Sequence, residues 1–151
     1  MADSTDSADS AGSTGPAGPA APVPEPDADV IELAGRLFDA ARAGDADTLG
    51  AYVDAGAPAN LSNDRGDTLL MLAAYHGHAA AVQALLSRGA DPDRANDRGQ
   101  TPLAGAVFKG ADDVLSILLA GGADPAAGTP SALDTARMFG KDELVARFEE
   151  R

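Results

Sequence analysis

The chain has 151 residues, 24 of them acidic against 11 basic, a formal net charge of −13, and no cysteine. A surface that acidic repels phosphate and anionic lipid, which argues against nucleic acid and membrane as partners. Without thiols there are no disulfides, thiolate metal sites or cysteine nucleophile.

Residues 1–28 are built from Ser, Ala, Gly, Pro, Asp and Thr, with Met1 and Val23 the only apolar side chains larger than alanine apart from the prolines. Such a segment cannot bury enough surface to offset the entropy of ordering, so a disordered acidic tail is expected. It has neither the basic nor the apolar region of a secretory signal, and no run in the chain approaches the roughly 20 apolar residues of a membrane-spanning helix. The expected compartment is the cytoplasm, and the scarcity of lysine with an Ala, Gly, Asp and Arg bias points to a bacterial, high-GC source. A first helix is expected from an N-cap near Asp29 through Leu33, Leu37 and Ala40-Ala41 to Gly44. A second opens at Asp45, places Leu49, Tyr52 and Val53 at helical spacing and ends at Gly56.

The tetrapeptide Asn63-Asp64-Arg65-Gly66 then returns unchanged at Asn96-Asp97-Arg98-Gly99, an offset of 33 residues. Each copy is followed by a Thr-Leu or Thr-Pro-Leu opening, a mid-repeat Gly, a leucine pair and Gly-Ala-Asp-Pro, at Gly89 to Pro92 and Gly122 to Pro125. Period and fixed positions together mark a repeat architecture. The chain resembles the ankyrin repeat family. The resemblance implies an all-α solenoid of about four helix-turn-helix pairs with short β-turn fingers. Its expected parts are an N-terminal capping repeat at 29–61, repeats at 62–94 and 95–127, and a C-terminal capping repeat at 128–151, together an ankyrin-repeat domain over 29–151.

Columns across the repeats support the stack. Leu37, Leu70, Leu103 and Leu133 share one position, and Ala40, Ala73, Ala106 and Ala136 another, where a small residue lets helices approach closely. Leu49, Val82, Leu115 and Val145 align in the second helices, as do Tyr52, Leu85, Leu118 and Phe148. The last interval is 30 residues rather than 33, so a stunted last finger is expected. Arg137 and Glu149 replace the apolar residues of earlier repeats, as the polar outer face of a closing cap requires. Where the family carries His after Thr-Pro-Leu, this chain has Met71, Ala104 and Asp134, so the Thr-to-His bonding the resemblance implies is missing.

Nothing here reads as a catalytic constellation, and no cofactor is implied. His76 and His78, two apart on a helix, would point to different faces and share no metal, and no third histidine completes a zinc set. By the resemblance, His78 braces the loop. Asp112-Asp113 fits the acidic start of a helix, Arg65-Gly66-Asp67 belongs to a turn, and Gly121-Gly122 ends a helix.

The resemblance implies a concave surface of turn tips and first-helix faces that binds a partner protein. The positions that carry over are Asp64, Arg65 and Asp67 in one turn and Asp97, Arg98 and Gln100 in the next. The first-helix ends add Arg42, then Tyr75 and His76, Phe108 and Lys109, Met138 and Phe139. Arg88 would join the edge. Tyr75, Phe108 and Met138 form one column expected to face solvent, rimmed by Arg65, Arg98 and Lys109, a composition typical of interface anchors. The expectation is a monomeric, non-catalytic interaction protein. The alternatives are a small-ligand or metal-binding protein or enzyme using His76 and the acidic turns, and a regulatory subunit of an enzyme encoded nearby.

Overall fold

Eight α-helices follow one another through the described residues, 28–150, of the computed structural model. They are α1 (Ala28–Ala43), α2 (Ala46–Asp54), α3 (Leu69–Tyr75), α4 (Ala79–Leu86), α5 (Pro102–Lys109), α6 (Asp112–Ala120), α7 (Ala132–Met138) and α8 (Asp142–Glu149). The expected tail lies almost wholly outside the described residues. Asp29 sits inside the first turn of α1, which begins one residue earlier, rather than capping it. Residues 28–32 are helical and belong to the first of two compact units; the second unit starts at Leu33.

The chain is all-α. Within the stack α3 packs on α4, α5 on α6 and α7 on α8, and each pair then packs on the next, first helix on first helix (α3, α5, α7) and second on second (α2, α4, α6). The columns explain this order. Leu37, Leu70 and Leu103 are buried, as are Ala73, Ala106 and Ala136, which carry no side chain long enough to hold neighbouring helices apart. Leu85, Leu118 and Phe148 fill the corresponding sites of the second helices, while Tyr52 is only partly buried.

The first helices of the last three pairs, α3, α5 and α7, start on a hydroxyl. Thr68, Thr101 and Ser131 are N-caps whose side-chain oxygens accept from the amides of Met71 at 3.0 Å, Ala104 at 3.2 Å and Asp134 at 3.1 Å. Each satisfies a donor that the first turn leaves unpaired. Only Thr101 is followed by proline, at a position where the missing N–H costs nothing. Asp45 caps α2 through the Thr48 amide and hydroxyl, at 3.1 and 2.6 Å, and these bonds hold its carboxyl below the usual aspartate range. Asp112 and Asp113 lie in the first turn of α6, but its N-cap is Ala111, so they favour the helix dipole without occupying the cap.

The connections are short fingers. Among the described residues the β pairing consists of two isolated bridges, Ser62 with Thr68 and Gly128 with Ser131. In each full finger an asparagine organises the turn. Asn63 Oδ1 accepts from the amides of Arg65 and Asp67, and Asn96 Oδ1 from those of Arg98 and Gln100. Gly66 and Gly99 complete the two turns at φ 76° and 80°, a conformation that penalises any side chain. Neighbouring fingers are tied by backbone bonds, Asp97 N–H to Arg65 C=O at 3.0 Å and Thr129 N–H to Gly99 C=O at 2.8 Å. Asn60 and Asp93, at equivalent positions, each accept from an amide of the following repeat, Asp91 and Asp124, both at 2.7 Å. Asp93 therefore replaces the asparagine of the pattern without loss of that bond.

Candidate binding site

Two grooves adjoin along the line where the fingers meet the ends of the first helices. The larger, about 340 Å³, lies between the rings of Tyr75, Phe108 and Phe139, with Ala104 and Thr135 as its floor, Met138 beside it and Arg98, Gln100 and Pro130 at its edge. The smaller, about 180 Å³, is more polar: Arg42, Arg65, Arg98 and His76 surround it, with Asn63 and Asp67 below. Tyr75, Arg98 and Gln100 belong to both, so the grooves are continuous.

The apolar side of this site comes from helix periodicity. Tyr75, Phe108 and Met138 occupy the same position in α3, α5 and α7, and stacking the repeats brings them side by side. The Tyr75 and Phe108 rings lie nearly parallel with centroids 6.3 Å apart, and Phe108 and Phe139 meet at 5.6 Å, tilted by 50°. Both separations fall in the attractive range for aromatic pairs. Phe108 is 50% exposed, Phe139 47% and Met138 69%, the last despite its length. Tyr75 differs from expectation in being partly buried. Its ring lies against Gly105 of the next repeat, where an added Cβ would come within 3.6 Å of it and within 3.0 Å of the Met71 methyl. Lys109 places its ammonium 4.9 Å from the Tyr75 centroid, a cation–π contact.

The polar side comes from the finger tips. Arg65 and Arg98 are exposed, and their backbones are pinned by the asparagine turns just described. Arg42 is exposed at the end of α1 and pairs with Asp39 at 3.0 Å. His76 follows α3 and meets Tyr75 edge-on at 5.6 Å. Asp64, Asp97 and Lys109 are exposed but do not line either groove.

Besides Tyr75, four residues are placed differently from the sequence reading: Asp67, Arg88, His76 and His78. Asp67 is buried, and its Oδ1 accepts from Asn96 Nδ2 at 2.8 Å, so this carboxylate joins two fingers and does not stand free at a turn tip. Arg88 grips Asp54 with Nε at 3.0 Å and Nη2 at 3.2 Å and donates to Ala84 C=O, away from both grooves. That contact raises the pKa of its guanidinium, and Gly50 makes room for it: a Cβ there would lie 2.8 Å from Nη2. The His76 and His78 rings stack at 6.4 Å rather than diverging, because α3 ends at Tyr75 and the chain turns between them. His78 Nε2 lies 2.7 Å from Arg42 C=O, which can only accept, so this nitrogen carries the proton and braces the preceding repeat. Lys141, at the equivalent position of the last pair, does the same for Val107 C=O at 3.2 Å.

The groove residues missed by sequence reasoning are Asn63, Met71, Leu72, Ala104, Pro130 and Thr135. The 30-residue interval was the signal available for Pro130, since the shortened connection puts it where a full finger would extend. Among the described residues no group of three or more His, Asp or Glu is placed to hold a metal, and no helix is long and apolar enough to cross a membrane.

Residues 37–128 match the ankyrin-repeat family, described as three copies, over more than half of the chain. The chain belongs to that family, whose members generally serve as protein–protein interaction modules and are generally not catalytic. It is similar to an ankyrin repeat protein of Pseudomonas aeruginosa, 49% identical over 54 residues. That match covers 36% of this chain and 32% of the relative, about a third of each.

Proposed function

We propose that this chain is a non-catalytic cytoplasmic interaction protein that takes a partner protein on the finger and first-helix side of its stack, the concave face in this family. The division into a capping repeat at 29–61, repeats at 62–94 and 95–127 and a closing cap at 128–151 is part of the proposal, as is a monomeric state. The observation that carries it is the continuous run of exposed apolar side chains, Phe108, Met138 and Phe139, beside finger-tip guanidiniums. Such a patch on an otherwise acidic surface has the make-up of an interface anchor with a polar rim.

The test is capture of partners from a lysate of the native host on immobilised wild-type chain and on the Phe108→Ala/Met138→Ala variant. Both side chains are about half exposed or more, so the variant should fold normally. Loss of about 2 kcal/mol of binding, roughly thirtyfold in Kd, is expected for anchors of this kind. Retention of the same partner at unchanged affinity would place the site elsewhere.

A further inference from the structure

Arg65 and Arg98 stand out electrostatically. The chain has only 11 basic residues in a net charge of −13, yet these two guanidiniums and that of Arg42 face one small groove together with His76. Two of the arginines elsewhere are spent on carboxylates, Arg88 on Asp54 and Arg137 on Asp134 and Glu149, and Arg147 donates to Ser116. Among the described residues, the Arg65 and Arg98 side chains have neither an ion pair nor a hydrogen-bond acceptor, although Asp64 and Asp97 stand beside them in the same turns. The one carboxylate in the groove, Asp67, is buried and already accepts from Asn96. Two unpaired guanidiniums, on turns whose backbones are pinned by their own asparagines, are available to an anion, and Arg matches a carboxylate with two parallel hydrogen bonds. The acidic remainder of the surface acts on it weakly beyond a Debye length of about 8–10 Å.

We infer that the occupant is an acidic peptide segment of the partner carrying a bulky apolar side chain next to its carboxylates, the carboxylates meeting Arg65 and Arg98 and the apolar side chain entering the aromatic groove. This rests on the proposed reading of the grooves as the partner site. Continuity argues for one segment spanning both, because Tyr75, Arg98 and Gln100 line each groove. The volume of about 340 Å³ sits at the small end of ligand pockets, enough for one or two large side chains. Asp67 lies in the groove and Asp64 and Asp97 flank it. A dianion meets twice the repulsion from them and twice the attraction of the guanidiniums, so the choice of monoanionic carboxylates over a phosphate rests on number: two separate carboxylates can be met one per guanidinium.

The test uses the full chain and fluorescein-labelled synthetic peptides read by anisotropy. One has a Glu-Leu-Phe-Glu core. The others replace its glutamates with lysine, its glutamates with phosphoserine, or its Leu-Phe with Gly-Ser. The Glu-Leu-Phe-Glu peptide should bind at least about tenfold tighter than the lysine and Gly-Ser versions, a difference of about 1.4 kcal/mol. It should also bind no more weakly than the phosphoserine version, and raised salt should weaken it. In the Arg65→Glu/Arg98→Glu variant, shown to be folded by its melting curve, the order of the glutamate and lysine peptides should reverse. No measurable binding of any peptide, no preference for glutamate, tighter binding of phosphoserine, or indifference to the arginine exchange overturns the inference. The host-lysate capture separates the two levels: a partner that depends on Phe108 and Met138 while the peptides show no acidic preference leaves the site standing and removes only its proposed chemistry.

Discussion

Leu85→Ala and Phe108→Ala should differ in stability cost by several-fold although both remove a large apolar side chain from a helix. Leu85 is fully buried in α4, which packs on α2, α3 and α6. Truncating it removes about three methylene equivalents at about 0.8 kcal/mol each, near 2.4 kcal/mol of transfer free energy. If roughly 40–60 Å³ of the vacated space stays empty, the cavity adds ~1–1.5 kcal/mol. The total, about 3.5–4 kcal/mol, is a large share of the ~5–15 kcal/mol that holds a domain folded. Phe108 is already half in water and touches only Tyr75 and Phe139 among the rings, so its loss should cost ~1 kcal/mol. Urea melts followed by far-UV circular dichroism measure both. A lowered m-value for Leu85→Ala would show in addition that the repeats have uncoupled, since each contacts only its neighbours. Equal costs for the two variants would refute the reasoning, because Phe108 would then be core and the groove it lines a packing defect.

Asp67→Ala should destabilise by ~1–3 kcal/mol in the same melts, because it leaves the buried Asn96 amide without its acceptor, whereas Asp67→Asn can keep that acceptor through its amide oxygen and should cost less. Asp45→Ala should lower Tm at neutral pH. The folded-state pKa of Asp45 is depressed by the Thr48 hydroxyl and amide, so its contribution is complete above about 3.8 and is lost as pH falls below that, and the Tm gap to wild type should close there. Gly105→Ala should be neutral or stabilising by up to ~1 kcal/mol, the helix-propensity gain outweighing a small shift of the flexible Met71 methyl, while Gly105→Leu should cost ~1–3 kcal/mol by displacing Met71 and Tyr75. Ending the chain at Gly128 removes α7 and α8, uncovers the side of α5 that α7 packs against, and should yield an aggregating or non-cooperative product by size-exclusion chromatography and melting; a monomeric two-state product would count against residues 131–151 as a cap.

The fold was legible because the constraints that build it are local to each repeat and recur. A buried leucine, a close-approach alanine and a helix-starting hydroxyl each repeat at a fixed interval, and periodicity exposes them without knowledge of the neighbours. That Tyr75, Phe108 and Met138 share one position was legible for the same reason, and the partial burial of Tyr75 was not. What remained hidden depends on contacts between repeats. Asp67 aligns with Gln100, and nothing in that pair of letters says that Asp67 is buried against Asn96 while Gln100 lines both grooves. Arg88 could as well have reached the finger side until Asp54 and the bare Gly50 appear beside it.

Met71 and Gly105 show how such a contact ties the scaffold to the site. Met71 departs from the family's histidine, and Gly105 stands where the preceding repeat has Leu72. Taken singly, each is an irregularity. In the stack they are one event, since the Met71 methyl and the Tyr75 ring occupy the space that a side chain at 105 would need. A side chain longer than alanine at 105 would displace the Tyr75 ring, which here lies nearly parallel to Phe108 and lines the wall shared by the two grooves. The glycine thus costs helix propensity in α5 and shapes the surface in return. The chemistry of this surface follows from a pairing across repeats, and a repeat pattern that compares like positions with like cannot display a pairing between unlike ones.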